Sequence, residues 1–346
     1  MFFPYFSTLL PFVSSHFLAY FHNYVYNISV WTIISQIIIS IHLYDSYERD
    51  LIMFDRIFAA YLVEMGKLSE QNVEVIFSTK EERRARLGVI AVSEKMLTID
   101  QAEEINQLQA IYDKKFGDIA VENGFLTPEQ VERLLDLQGN AFLTFVQSIV
   151  DHGCLTMEEI NTALDQYQKD HSLTLGDIEN LKSCEVENVV PIFLYKQPEI
   201  LISLCGIMLR TLYRLVDHRV YIKQPYFAKE VPYTYISLQE LFGEHSILTA
   251  FCGNLDTLKA TAIGFAGTEY INEDEDCLDA LCELINCING MFATKLSQED
   301  IDLDMRVPEY HLEPGVLKAD SLLCVPVVVF DKELTVILTL NTKHSI

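Results

Sequence analysis

One period constrains the first half of this chain more than any other feature. Gly66, Lys95, Gly124 and Gly153 stand 29 residues apart. Two places after each comes Leu68, Leu97, Leu126 or Leu155, and next to that Ser69, Thr98, Thr127 or Thr156. Self-similarity at a fixed spacing marks a supersecondary unit copied in tandem, each copy burying its apolar face against its neighbours. The unit is helical. A Ser or Thr hydroxyl at an N-cap accepts from a free N–H of the following turn. Gln130 and Glu159 stand where they complete capping boxes with Thr127 and Thr156, and Pro128 takes a first helical position. Apolar residues then recur at helical spacing, as in Val131, Leu134 and Leu135 or Ile160, Ala163 and Leu164. A glycine three residues before the cap suits the left-handed residue that ends the preceding helix, Lys95 being the exception. Four helix–turn–helix units therefore fill residues 51–172, an array whose plain reading is a scaffold.

Charge separates this array from what precedes it. Residues 1–44 hold no Asp, Glu, Lys or Arg. Their apolar stretch, Ile28–Leu43, is interrupted by Ser29, Thr32, Ser35, Gln36 and Ser40. A spanning helix needs about 20 apolar residues, and no basic run precedes the stretch as a signal peptide requires. Residues 1–50 thus read as a hydrophobic segment with three open identities: a membrane anchor, an extension packed on the body, or sequence outside the working protein. Met53 opens directly onto patterned sequence. Across the chain 50 Asp and Glu face 25 Lys and Arg, a net charge of −25 that repels phosphate backbones and argues against nucleic-acid binding. The eight cysteines form no C-x-x-C pair, so they read as buried thiols of a cytoplasmic protein with no metal site. Membrane association follows only if residues 1–50 act as an anchor.

The period is lost around residues 168–187, and 173–187 reads as a linker to a second domain at 188–346. There the pattern predicts a helix over Pro198–Val220, strands at Ile247–Phe251 and Lys259–Phe265 around Gly253-Asn254, a helix over Asp276–Leu296, and a hairpin of Leu322–Phe330 with Leu334–Leu340. Helix followed by strands, twice, argues an α+β domain.

The helix from Asp276 carries the chemistry. With Asp279 at zero and about 100° per residue, Glu283, Asn286 and Gly290 fall near +40°, −20° and +20°, one narrow stripe. Leu278, Leu281, Ile285, Ile288 and Phe292 occupy the opposite arc. A carboxylate and a carboxamide thus project side by side. The stripe carries no Lys or Arg, and a mid-helix glycine costs about 1 kcal/mol relative to alanine. An ordinary solvated face is the plain alternative.

Asp279, Glu283, Asn286 and Pro308 together resemble the CheC/CheX family of response-regulator phosphatases, whose motif is Asp/Ser-x₃-Glu-x₂-Asn with a Pro 22 residues on. The likeness covers residues 188–342 and includes the glycine-turn segment SILTAFCGNLDTLKATAIGF. Ile202 follows Glu199 where a duplicated site would place Asn, which favours a CheX-like single site. The resemblance implies a substrate, the aspartyl phosphate of a phosphorylated CheY-like response regulator. Asn286 would hold the attacking water and Glu283 would pair with the partner's lysine. Asp279 would assist and Pro308 would shape the adjoining loop. The Mg²⁺ belongs to the partner, so no cofactor of its own is expected; a homodimer through this domain is. Receivers are commonly acidic, so docking must rest on local complementarity. A non-enzymatic adaptor is the alternative of a different class.

Two 24-residue stretches of the array, 86–109 and 115–138, resemble the MshEN-like N-terminal domains of type II secretion and pilus ATPases. Some of these bind cyclic di-GMP. Arg86, Leu87, Gly88 and Gln109 match the first motif, and Gly117, Gly124 and Gln138 the second. Lys95 replaces a motif Gly, Lys115 an Arg and Phe116 a Leu; lysine neither stacks on a purine nor offers a planar fork of donors. The expected whole is multidomain: an all-α array of four 29-residue units, serving as a sensor or docking module for which cyclic di-GMP and a protein are both candidate ligands, then an α+β CheX/CheC-like domain.

Overall fold

The computed structural model describes residues 53–80, 85–112 and 114–346. The hydrophobic segment 1–50 lies outside them. Among the described residues no helix is long and apolar enough to cross a membrane. The chain divides after Ile192 into a helical unit and a strand-rich unit.

Among the described residues ten α-helices build the first unit: α1 (Phe54–Glu64), α2 (Glu70–Lys80), α3 (Leu87–Ser93), α4 (Ile99–Tyr112), α5 (Phe116–Glu122), α6 (Pro128–Asp136), α7 (Ala141–Asp151), α8 (Met157–Asp170), α9 (Leu175–Lys182) and α10 (Val186–Phe193). The turns explain the pairing. Gly66, Lys95, Gly124 and Gly153 all adopt positive φ, 68°, 57°, 74° and 64°. At each, the next N–H reaches back to the last helical turn: Lys67 to the Leu62 carbonyl, Met96 to Ala91, Phe125 to Ala120 and Cys154 to Ile149. That bond closes a helix end by satisfying a carbonyl that has no partner within the helix. Leu68, Leu97, Leu126 and Leu155 follow, all buried. Reciprocal cap bonds then open the next helix at Ser69–Asn72, Thr98–Gln101, Thr127–Gln130 and Thr156–Glu159.

Residues 173–187 are no linker. Ser172 adopts φ 54°, Thr174 forms a capping box with Asp177, and α9 buries Ile178 and Leu181. Phe54, Phe58, Phe142 and Tyr167 form an aromatic centre with ring centroids 5.1–6.0 Å apart.

The second unit opens with α11 (Glu199–Leu215), shorter than the expected span to Val220. Its sheet comprises β1 (Tyr221–Ile222), β2 (Tyr226–Tyr233), β3 (Tyr235–Gly243), β4 (Ile247–Gly253), β5 (Leu303–Met305), β6 (Glu309–His311), β7 (Gly315–Val329), β8 (Lys332–Leu340) and β9 (His344–Ser345). The order is β1-β7-β8-β4-β3-β5, with β2 and β9 also on β7 and β6 on β3, and all pairs are antiparallel. Phe330 and Asp331, both at positive φ, make the tight turn between β7 and β8, the geometry that matches strand twist.

The helices α12 (Leu255–Ala266) and α13 (Asp274–Ser297) complete the unit. Lys259–Phe265, expected as a strand, lies inside α12. Asn254 decides this: its side chain caps the Thr257 N–H at 2.8 Å, and Leu258 and Ala262, four apart, are fully buried. A Cβ on Gly264 would lie 2.7 Å from the Phe330 ring, so this glycine serves packing.

Candidate active site

Helix α13 begins at a reciprocal cap between Glu273 and Asp276. The Asp276 carboxylate accepts from the Asn272 and Glu273 backbone N–H groups, which hold its pKa below the usual carboxylate range. Leu278, Leu281, Ile285, Ile288 and Phe292 are all fully buried, each burial contributing about 1.5–3 kcal/mol. On the opposite arc Asp279 is exposed, and Glu283 and Asn286 are half-buried. Gly290 departs from the expected stripe: it is buried, and its carbonyl accepts from the Thr294 hydroxyl at 2.8 Å.

Glu283 is a carboxyl held above its ordinary pKa, first by desolvation and then by the charge of Asp279, while a hydrogen bond with the Asn286 side chain opposes the shift. Asp279 is pushed up too, by partial desolvation and by Asp276. Asn286 has a second partner: Gln239 on β3 donates its amide Nε2 to Asn286 Oδ1 at 2.7 Å and to the Arg306 carbonyl at 2.8 Å. Gln239 Oε1 accepts from Asn289 Nδ2 at 2.9 Å, and Asn289 Oδ1 accepts from the Thr249 hydroxyl at 2.9 Å. Gln239, Asn289 and Thr249 were not legible as site residues. The available signal was a polar residue at an inward position of a buried strand, paired across the ladder with another, Thr249.

The Arg306 carbonyl lies where the ladder on β3 is interrupted, two residues before Pro308. Residues 303–311 run antiparallel to β3 as β5 and β6, and the ladder is broken between them. Proline has no N–H to lend a ladder, so the strand bulges there. The rim carries Val307, 50 % exposed, and the Tyr310 phenol, whose pKa burial and the acidic start of α13 push up. Arg306 pairs with Glu240 at 2.6 Å and lies over the Phe242 ring.

In the helical unit, Gln138 donates to the Ala85 carbonyl at 3.1 Å, which draws the second motif's end to Arg86 in the first. The Arg86 guanidinium holds Asp151 at 2.6 Å. Leu87 and Gln109 are half-buried on α3 and α4. The glycines have packing reasons: a Cβ on Gly88 would lie 3.2 Å from the Phe116 ring and one on Gly117 2.7 Å from Val131, while Gly124 supplies a positive-φ turn. Among the described residues no three His, Cys, Asp or Glu side chains gather where they could hold a metal ion.

Residues 235–330, which contain β3, α13 and Pro308, match the family described as Chemotaxis phosphatase CheX. The strand-rich unit is CheX-like. Among solved structures it is similar to a chemotaxis protein CheX from Desulfovibrio desulfuricans (16% identity, 41% of this chain and 99% of that chain, TM-score 0.37). It is similar also to chemotaxis protein CheX from Vibrio vulnificus (13%, 41% and 99%, TM-score 0.37). A third is the CheX–CheY–BeF₃–Mg²⁺ complex from Borrelia burgdorferi (16%, 42% and 99%, TM-score 0.34). No curated protein matches the chain.

Proposed function

We propose that this chain is a signalling phosphatase that hydrolyses the aspartyl phosphate of a CheY-like response regulator. The observation that carries the reading is the half-buried pair Glu283 and Asn286 on α13, within the stretch that matches the CheX family. An acyl phosphate is already prone to hydrolysis, and the receiver brings its own lysine and metal. What remains is to hold a water in line with phosphorus, and positioning of this kind is worth about two to three powers of ten, roughly 3–4 kcal/mol. Asn286 suits the task. Its Oδ1 has two lone pairs; Gln239 takes one, and the other accepts a proton of the water, whose own lone pair then faces the phosphoryl group. Glu283 receives the partner's ammonium. Docking offsets its raised pKa, because a cation beside a carboxylate favours the charged form. Val307 and Tyr310 form the apolar rim on which the receiver rests.

Incubating the full chain with a panel of phosphorylated receivers tests this. Faster loss of phosphate from at least one receiver supports the reading; unchanged decay of every one, with binding retained, leaves the adaptor reading instead. The helical unit, in this account, is an array of four 29-residue units that senses or docks. A cyclic di-GMP ligand there would draw Arg86 from Asp151, and calorimetry with the dinucleotide tests that. A homodimer through the CheX-like unit belongs to the same proposal, and sedimentation of the full chain tests it.

A further inference from the structure

We infer that Gln239 is a positioning residue which, with Asn289 and Thr249 behind it, sets the orientation of the Asn286 carboxamide and so the direction of the held water. The inference rests on the phosphatase reading for its consequence but not for its geometry.

Three observations carry it. The first is burial. Gln239 on β3 is 1 % exposed, Thr249 on β4 is 0 % exposed, and so is Asn289 on α13, a helix whose buried face is otherwise built largely of Leu, Ile and Phe. Polar side chains in such a place destabilise unless every group is paired, and here each is.

The second is that the chain of bonds has a fixed direction. A carboxamide flipped end for end has nearly the same shape, so its orientation must come from its partners. The Arg306 carbonyl can only accept, so it fixes the nitrogen of Gln239 on its own side. Gln239 Oε1 must then accept, which turns the Asn289 nitrogen toward it and leaves Asn289 Oδ1 for the Thr249 hydroxyl. The same Gln239 nitrogen has a second hydrogen, and that goes to Asn286 Oδ1. A backbone carbonyl thus dictates which end of Asn286 faces inward.

The third is where the chain ends. Thr249, Asn289 and Gln239 are buried, whereas Asn286 is half-buried and reaches solvent. Gln239 and Thr249 are opposite one another on β3 and β4, and Asn286 and Asn289 lie three apart on α13, so sheet register and helix rotation together build the arrangement.

The test compares Gln239→Leu, Asn286→Ala and the double variant in the full chain. Phosphate release from a phosphorylated receiver is read alongside the ¹⁵N-labelled Asn286 side-chain amide by NMR. Gln239→Leu should lower kcat about 10- to 100-fold, the scale of a small misplacement, with KM changed less than about twofold. Added to Asn286→Ala it should cost nothing further, whereas in Gln239→Leu alone the Asn286 amide should pass from one orientation to an averaged signal. A loss by the same factor in both backgrounds, or an amide equally ordered with and without Gln239, overturns the inference. If Gln239→Leu does not fold, Thr249→Val keeps the shape and removes only the distal hydroxyl. It should move kcat and the amide signal in the same direction by a smaller factor, and no movement in either counts against the relay. If no receiver is dephosphorylated, the phosphatase reading fails, and the amide signal alone then decides the positioning claim.

Discussion

Asn286 hydrogen-bonds to the Glu283 carboxylate across one turn of α13, yet Glu283 still sits above its ordinary pKa, because desolvation and Asp279 outweigh that bond. A pair held in this tension has consequences for stability, for pH and for rate.

Stability gives the first prediction. A carboxyl whose folded pKa is raised binds more protons in the folded chain than in the unfolded one between the two pKa values, so stability falls as pH rises through that window. The CheX-like unit should therefore lose stability from this site above the unfolded pKa of about 4.3, and Glu283→Gln should recover it. Melting temperatures of both proteins at pH 4 and pH 7 check the sign: the variant gains at pH 7, and the gain shrinks at pH 4.

In the helical unit, the turn at Lys95 departs from the glycine found at the three equivalent positions. A side chain at positive φ costs about 1–2 kcal/mol, and the entropy a glycine restores to the unfolded chain returns about 0.4–1 kcal/mol of that. Lys95→Gly should stabilise by up to about 1 kcal/mol and Gly124→Lys should destabilise by a similar amount, both read by chemical denaturation.

Gly117 makes a sharper case. A Cβ there would meet Val131 at 2.7 Å, closer than packed carbons allow. Gly117→Ala should cost about 1–3 kcal/mol, the scale of overpacking. Combining it with Val131→Ala should return part of the loss, and a double-mutant cycle on thermal unfolding measures the coupling.

What could be read in advance follows the range of the forces involved. The caps at Thr127 and Thr156 and the stripe of Asp279, Glu283 and Asn286 depend on spacing within one helix, which sequence displays. Lys259–Phe265 reads as a strand because KATAIGF alternates, while a single cap at Asn254 and a face packed on α13 set it as helix. Helix α9 was hidden by its polar composition, though its Thr174–Asp177 cap was in view. Gln239 and Thr249 stayed out of reach for another reason. Their meeting requires the register of β3 on β4 and the rotation of α13 above them, and neither is a local property.

Phosphate release from a phosphorylated CheY-like receiver, compared between the full chain and its Asn286→Ala variant at saturating receiver, decides whether the Asn286 carboxamide positions the attacking water. In the variant kcat should fall about 10²- to 10³-fold with the fold and receiver affinity retained, as loss of a water-positioning group requires. Equal rates for the two proteins would contradict that role.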